Sequence, residues 1–342
     1  MTPSAEARAA LQALAREITS SARERDGLIR EAVALSRLLE GLTGLSPESQ
    51  PDIGANQTTT SAGLAISPIK AAHCAREPLR TITFIKGLAS AIEQARRPDR
   101  PVRVLYAGCG PFATLALPLM TLFDAQQASF TLLDIHAASL DCARSLVEGF
   151  GLASSVSRYV LDDACALRLD AAQLPDVIVS ETMNASLRSE PQVAIMRHLA
   201  AQAPAALLVP ESVTVEACLL RPGKELPPPL EGPDAQPQPA QRERIPLGPV
   251  FRLDREAITA WQKEGSLLPA GAVQIPAELP ERMQARLLTK ITAFGPHRLD
   301  DYESSLNLPQ HLPGKPALAG GEHLQFAYRI SEAPGLMLVP AA

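Results

Sequence analysis

This chain of 342 residues is constrained first by what it lacks. No apolar run reaches the roughly 18 residues that a membrane-spanning helix needs. The opening MTPSAEARAALQALAREI is charged and helically spaced, unlike a secretory leader. Basic residues are not in excess: 32 Lys and Arg stand against 37 Asp and Glu, a net charge of −5. That balance argues against a nucleic-acid partner, which would call for a basic face. The five cysteines (Cys74, Cys109, Cys142, Cys165, Cys218) include no Cys-x-x-Cys pair, so neither a zinc knuckle nor a dithiol redox motif is expected. Their odd number and scatter suit a reducing compartment, and a cytoplasmic protein without membrane or nucleic-acid partners is the expectation. No fixed-period repeat is present. The histidines (His73, His136, His198, His297, His311, His323) show no metal-ligand spacing, and no metal is expected. Ser180 lacks the Gly-x-Ser-x-Gly surroundings of a hydrolase nucleophile.

Against these absences stands a chain long enough for one large or two modest domains and 46% hydrophobic, enough for a core. Apolar residues at helical spacing (Leu11, Leu14, Ile18, then Leu28, Ile29, Val33, Leu35, Leu38, Leu39) predict two amphipathic helices within residues 1–67, an N-terminal helical cap. The polar stretch 46–63 reads as a loop. Residues 68–96 return to helical period with a break near Pro78. From 102 the pattern alternates: strand VRVLYAG, helix FATLALPLMTLF, strand SFTLLDI, helix AASLDCARSLVEGFGL, strand SRYVLDDA, strand DVIVSETM, helix EPQVAIMRHLAAQA. Such alternation predicts an α/β, Rossmann-like parallel sheet over 68–210. Beyond it, 211–342 reads as a β-rich, barrel-like domain carrying a Pro-rich loop at 221–244.

The chemistry concentrates at the carboxyl ends of the predicted strands. VLYAGCGPF puts Gly108 and Gly110 between the first strand and the apolar run FATLALPLMTLF, where a backbone without side chains lets a ligand approach. A P-loop would need Gly-Lys-Ser/Thr, which is missing. Asp134 ends the second strand, where a carboxylate can accept both ribose hydroxyls; Asp163 follows the third, within reach of an adenine amine; Glu181 ends the fourth. Each acid alone could equally be a solvated or capping carboxylate, but together they describe a pocket for S-adenosylmethionine.

Four segments resemble the protein arginine methyltransferases among the class I S-adenosylmethionine-dependent methyltransferases: REPLRT (76–81), VLYAGCG, SETMNASLRSE (180–190) and LLVPESVTVEACL (207–219). The resemblance implies that Arg80 binds the methionine carboxylate, that Gly108 and Gly110 carry the ligand, and that Asp134 and Asp163 hold ribose and adenine. It also implies that Glu181 and Glu190 grip a cationic group, as two carboxylates facing one pocket can. On its own Glu190 could instead be a helix N-terminal acid before Pro191.

The departures shape the expected activity. Tyr106 stands where that family has an acid, and Phe112 replaces its third glycine; both could face the sulfonium or merely fill the space. The family's Thr-His-Trp loop is missing, Trp261 being the sole tryptophan. The expectation is therefore methyl transfer to a nitrogen or activated carbon of a small molecule, with Glu181, Glu190 and Asn184 as catalytic candidates. One alternative is cyclisation of S-adenosylmethionine itself to azetidine-2-carboxylate and methylthioadenosine, with Glu181 or Asn184 gripping the cofactor's own amine. A non-catalytic scaffold is the other. The N-terminal helices could serve as a lid, or as a packing or homodimer element.

Overall fold

Pro68 and Pro78 each occupy a first helical position, where the missing N–H costs nothing, so the break near Pro78 is the start of a second helix rather than a kink. The computed structural model describes residues 5–46, 48, 52, 54–229, 236 and 238–340. Helices α1 (Ala5–Thr19) and α2 (Ile29–Thr43), with Leu28 in the 3-10 turn just before α2, bury the stripe of Leu11, Ile18, Leu28, Leu35 and Leu39. α2 stops at Gly44, whose φ of 70° lets its N–H reach Glu40 O at 2.8 Å. At the end of the stretch expected to be loop (46–63), β1 (Thr58–Thr60) and β2 (Gly63–Ala65) form a small hairpin. Helix α3 (Pro68–Cys74) is capped by Ser67, which accepts from Lys70 N at 3.2 Å. Helix α4 (Pro78–Ala95) packs on α1 and α2 and also reaches the parallel sheet and one of the C-terminal sheets.

The parallel sheet comprises β3 (Val102–Ala107), β4 (Ala128–Asp134), β5 (Val156–Leu161), β6 (Val177–Ser180) and β7 (Leu207–Val209). Its order is β5-β4-β3-β6-β7, so the chain reverses direction of travel at β3. In such sheets the crevice for a ligand lies beyond the strand carboxyl ends at that reversal. Helix α5 (Ala137–Gly149) follows β4, and α6 (Gln192–Gln202) follows β6.

The helix expected over FATLALPLMTLF is not regular. Residues 111–118 form successive turns and only 119–121 a short 3-10 helix. Two prolines explain it: Pro118 has no N–H to give to residue 114, and Ala113, after Pro111, takes a φ of 44°. The segment is nonetheless buried, with Phe112, Leu117 and Leu119 in the core.

The remainder is antiparallel. Strands β8 (Ser212–Leu220), β9 (Arg244–Asp254), β11 (Gln284–Phe294) and β12 (His297–Leu299) pair in the order β12-β11-β8-β9, with β13 (Gln310–His311) added to β11. Strands β10 (Leu267–Gln274), β14 (His323–Arg329) and β15 (Gly335–Val339) form a second sheet in the order β10-β14-β15. Short helix α7 (Arg255–Ala260) follows β9. Phe251 stacks on Tyr328 (centroids 4.6 Å apart) and on Trp261 (5.1 Å), which ties the two sheets together. Part of the Pro-rich loop expected at 221–244 lies outside the described residues. No helix among the described residues is long and apolar enough to cross a membrane.

Candidate functional site

At the carboxyl edge of β3, β4 and β6 the chain leaves a cavity with about 1030 Å³ of empty space, partly open to solvent. Arg80, Tyr106, Gly108, Gly110, Asp134, Asp163, Glu181 and Glu190 all line it.

The glycine turn is shaped by its neighbours. Gly108 and Gly110 take φ values of 72° and 64°, a region that penalises any Cβ. A Cβ on Gly108 would also lie 2.3 Å from Thr182 Cγ2. Asp134, 6% exposed, holds this turn: its Oδ2 accepts from Gly110 N at 2.9 Å and its Oδ1 from His136 N at 2.9 Å. Each carboxylate oxygen retains further lone-pair capacity for a diol. His136 lines the cavity too, and its Nε2 lies 3.1 Å from Thr58 Oγ1 on the hairpin. Asp163 Oδ1 accepts from Cys165 N at 2.8 Å, an interaction that fixes the turn after β5.

The first turn of α4 delivers Arg80 to the same cavity. Its side chain is 8% exposed and meets Glu77 at 3.1 Å and Glu181 at 2.6 Å. Its Nε is buried with no hydrogen-bond partner. A guanidinium with one unanswered donor at the wall of a cavity suits a ligand carboxylate, because an unpaired buried donor costs about 1–3 kcal/mol. Burial alone would depress the Arg80 pKa, but Glu181, Cys74 and Glu77 more than offset it and keep Arg80 charged.

The two glutamates differ. Burial raises the Glu181 carboxyl above its ordinary value, with Arg80 opposing. Burial likewise pushes Glu190 up, to about 7; Arg80 lowers it and Glu181 raises it. The loop joining them is over-determined. Gln192, fully buried, donates to Ser180 O at 2.9 Å and accepts from Thr182 N at 2.9 Å. Ser189 O accepts from Leu64 N at 2.8 Å, which seats the β1–β2 hairpin on the loop. The approach is close: a Cβ on Gly63 would stand 2.8 Å from Pro191 N and 2.9 Å from Glu190 C.

Two expected site residues lie elsewhere. Phe112, 1% exposed, is not among the residues lining the cavity, because the turn after Gly110 swings its ring into the core. Asn184 does not line it either; its Oδ1 accepts from Ala185 N at 2.8 Å as the cap of a short 3-10 turn. Tyr106 does face the cavity, and burial raises its phenol well above the usual range, so it is neutral. Sequence reasoning missed the hairpin residues Thr60, Leu64, Ala65 and Ile66 as part of the wall, and Gln192 as the brace behind Thr182. Nothing in a run such as TTTSAGLA announces a wall, since its role comes from contact with Ser189. Helices α1 and α2 contribute no lining residue among those described; the hairpin is the covering element.

Among the described residues no group of three or more His, Cys, Asp or Glu side chains is arranged to hold a metal ion. The five cysteines are free thiols.

No family model and no curated protein matches the sequence. Solved structures do. A structure of PRMT6 is 12% identical, with a TM-score of 0.50 over 80% of this chain and 99% of that one. Protein arginine methyltransferase 10 of Arabidopsis thaliana, described in a uniquely open conformation, is 14% identical, with a TM-score of 0.47 over 73% of this chain and 84% of that one. The fold, with N-terminal helices, a Rossmann-like parallel sheet and a C-terminal antiparallel β region, is like that of the protein arginine methyltransferases.

Proposed function

We propose that this protein is an S-adenosylmethionine-dependent transferase that methylates a nitrogen or activated carbon of a small molecule. The observation that carries the reading is the pairing, across one cavity, of Arg80 with an unanswered Nε and Asp134 with spare acceptor capacity. These two groups suit the carboxylate and the ribose at opposite ends of an adenosyl amino acid. Asp163 and the turn around it would take the adenine side, and Gly108 and Gly110 leave the backbone open to the ligand.

When bound, S-adenosylmethionine supplies an electrophilic methyl group on a sulfonium. The chain's own residues supply the rest. Arg80 fixes the tail, and Asp134 the sugar. Glu181, neutralised in part by Arg80, orients a cationic or amine acceptor. Glu190, with a carboxyl raised to about 7, is suited to accept the acceptor's proton near neutral pH. The hairpin seated on Ser189 limits water around both carboxylates. The lack of a Thr-His-Trp segment supports a small acceptor over a peptide arginine.

A second reading draws on the same hairpin. Its close approach to Glu190 through Gly63 leaves no gap between hairpin and loop at that carboxylate; if an acceptor is shut out there, the cofactor's own amine is the remaining nucleophile and the product is azetidine-2-carboxylate. Incubation of pure protein with S-adenosylmethionine separates the readings. S-adenosylhomocysteine formed only when an amine acceptor is supplied supports methyl transfer; methylthioadenosine formed without one supports cyclisation. Calorimetry showing no binding of S-adenosylhomocysteine would sink both and leave a scaffold.

A further inference from the structure

Behind the loop that joins Glu181 to Glu190 runs a second groove, between β13 and β15, with about 1230 Å³ of empty space. Arg188, Lys315 and Arg329 line it together with His311. An adjoining depression shares His311 and Lys315 and adds Arg286. Among the described residues no carboxylate lines either, in a chain whose net charge is −5. Among the described residues, too, the side chains of Arg188, Lys315 and Arg329 form no ion pair and no hydrogen bond, and all three are exposed. Several cations gathered on one wall with no carboxylate in the lining make a local positive potential. The exposed imidazole of His311 registers it: Arg286 foremost, then slight burial and Lys315, hold its pKa below the ordinary value.

A second feature points to a ligand rather than to a solvated patch. Ser186 lines the same groove, is 4% exposed, and its Oγ is buried with no hydrogen-bond partner. It is held there against backbone preference: Ser186, Leu187 and Ser189 have φ values of 59°, 55° and 69°. Such conformations persist only where the surroundings enforce them. The enforcement is visible in Ser186 N donating to Thr289 Oγ1 at 2.8 Å, Tyr328 Oη to Leu187 O at 2.6 Å, and Ser189 N to Pro334 O at 2.9 Å.

We infer that this groove is an oxyanion-binding site, in which the free cations Arg188, Lys315 and Arg329 receive a phosphate- or carboxylate-bearing ligand and the orphaned hydroxyl of Ser186, shielded from solvent in the empty groove, rotates to donate to it. Arginine forks bind either group bidentately, and a hydroxyl donor completes the shell. The site is independent of the adenosyl cavity, so it stands whether or not the proposed transferase activity does.

The test uses the full chain with inorganic pyrophosphate and with citrate, titrated by calorimetry at about 0.01 M ionic strength, where surface fields reach about 30 Å, and again at about 0.15 M. Saturable binding that weakens with salt is expected from at least one of the two. Pyrophosphate alone would mark a phosphate ligand, citrate alone a carboxylate ligand, and both a general oxyanion site. The Arg188→Gln/Arg329→Gln double variant should bind at least about 10-fold more weakly, the loss expected for one charge-assisted contact. Ser186→Ala should also weaken binding, and Arg37→Gln, on the exposed face of α2, should not. A thermal melt confirms that each variant is folded; if the double variant is not, Lys315→Gln supplies the same reading. No saturable binding by the wild-type protein at low salt, or equal affinity in the folded groove variants, overturns the inference. S-adenosylhomocysteine affinity is measured separately, so failure of the transferase reading is distinguishable.

Discussion

Arg80 and Glu190 hold opposite positions in one electrostatic arrangement, and each yields its own test. Arg80→Lys keeps the positive charge beside Glu181 but loses the planar fork and the free Nε. S-adenosylhomocysteine should then bind about 10- to 100-fold more weakly, as read by calorimetry, and the melting temperature should fall, because one ammonium cannot answer both Glu77 and Glu181. In the proposed reaction Glu190 acts through its raised carboxyl. As a proton acceptor it is active only when ionised, so turnover should climb as pH rises through about 7 and level off above. Glu190→Gln should flatten that limb and lower kcat about 10²- to 10⁴-fold. Stability runs the other way. Because the folded carboxyl binds its proton more tightly than the unfolded one, its contribution is full below pH 4.5 and is lost as pH rises through about 7. The ligand-free Glu190→Gln protein should therefore match the wild type at low pH and melt higher above pH 7, in a pH series of thermal melts. That Arg80, Asp134 and Glu181 would meet at one cavity was legible in the sequence because their positions derive from strand ends and from motif spacing. Phe112 and Asn184 were not, because a proline-distorted turn and a local cap redirect side chains in ways that spacing does not encode.

At the scale of elements, the parallel sheet was readable because its strands are short apolar runs separated by helices. The hairpin of β1 and β2 was not. Three threonines and Gly-Leu-Ala have neither the length nor the alternation of a recognisable strand pair, and a hairpin this small is not stable alone. It exists because Leu64 N finds Ser189 O and because Gly63 admits the backbone of Glu190 and Pro191. Gly63→Val should break that seat: φ is 146°, and the new side chain would collide with backbone atoms that have nowhere to move. The expected outcome is faster amide hydrogen exchange over 58–66 and a KM increase of about 10-fold, with global stability lowered by about 1–3 kcal/mol. The basic groove escaped sequence reading for a related reason. Arg188, Arg286, Lys315 and Arg329 are dispersed along the chain, and only the strand topology gathers them.

For the whole molecule, the N-terminal helices are structural in the first instance. Five leucine and isoleucine side chains of that region (Leu11, Ile18, Leu28, Leu35 and Leu39) are at most 1% exposed. At about 1.5–3 kcal/mol each, their burial is comparable to the entire stability of an ordinary domain. Deleting residues 1–45 should leave a chain that does not fold, shown by loss of near-ultraviolet circular dichroism and by aggregation on size-exclusion chromatography. Helix α4 is what makes this so: one rod carries the leucine stripe's partner face along its length, Arg80 in its first turn, and at Gly87 a contact with Ala293 of β11 too tight for any side chain. A heated sample therefore has no intermediate stage at which the ligand pocket survives while the ends of the chain fray. Warmth should extinguish recognition and architecture together, unlike a local fault in the hairpin, which dulls recognition while the frame stands.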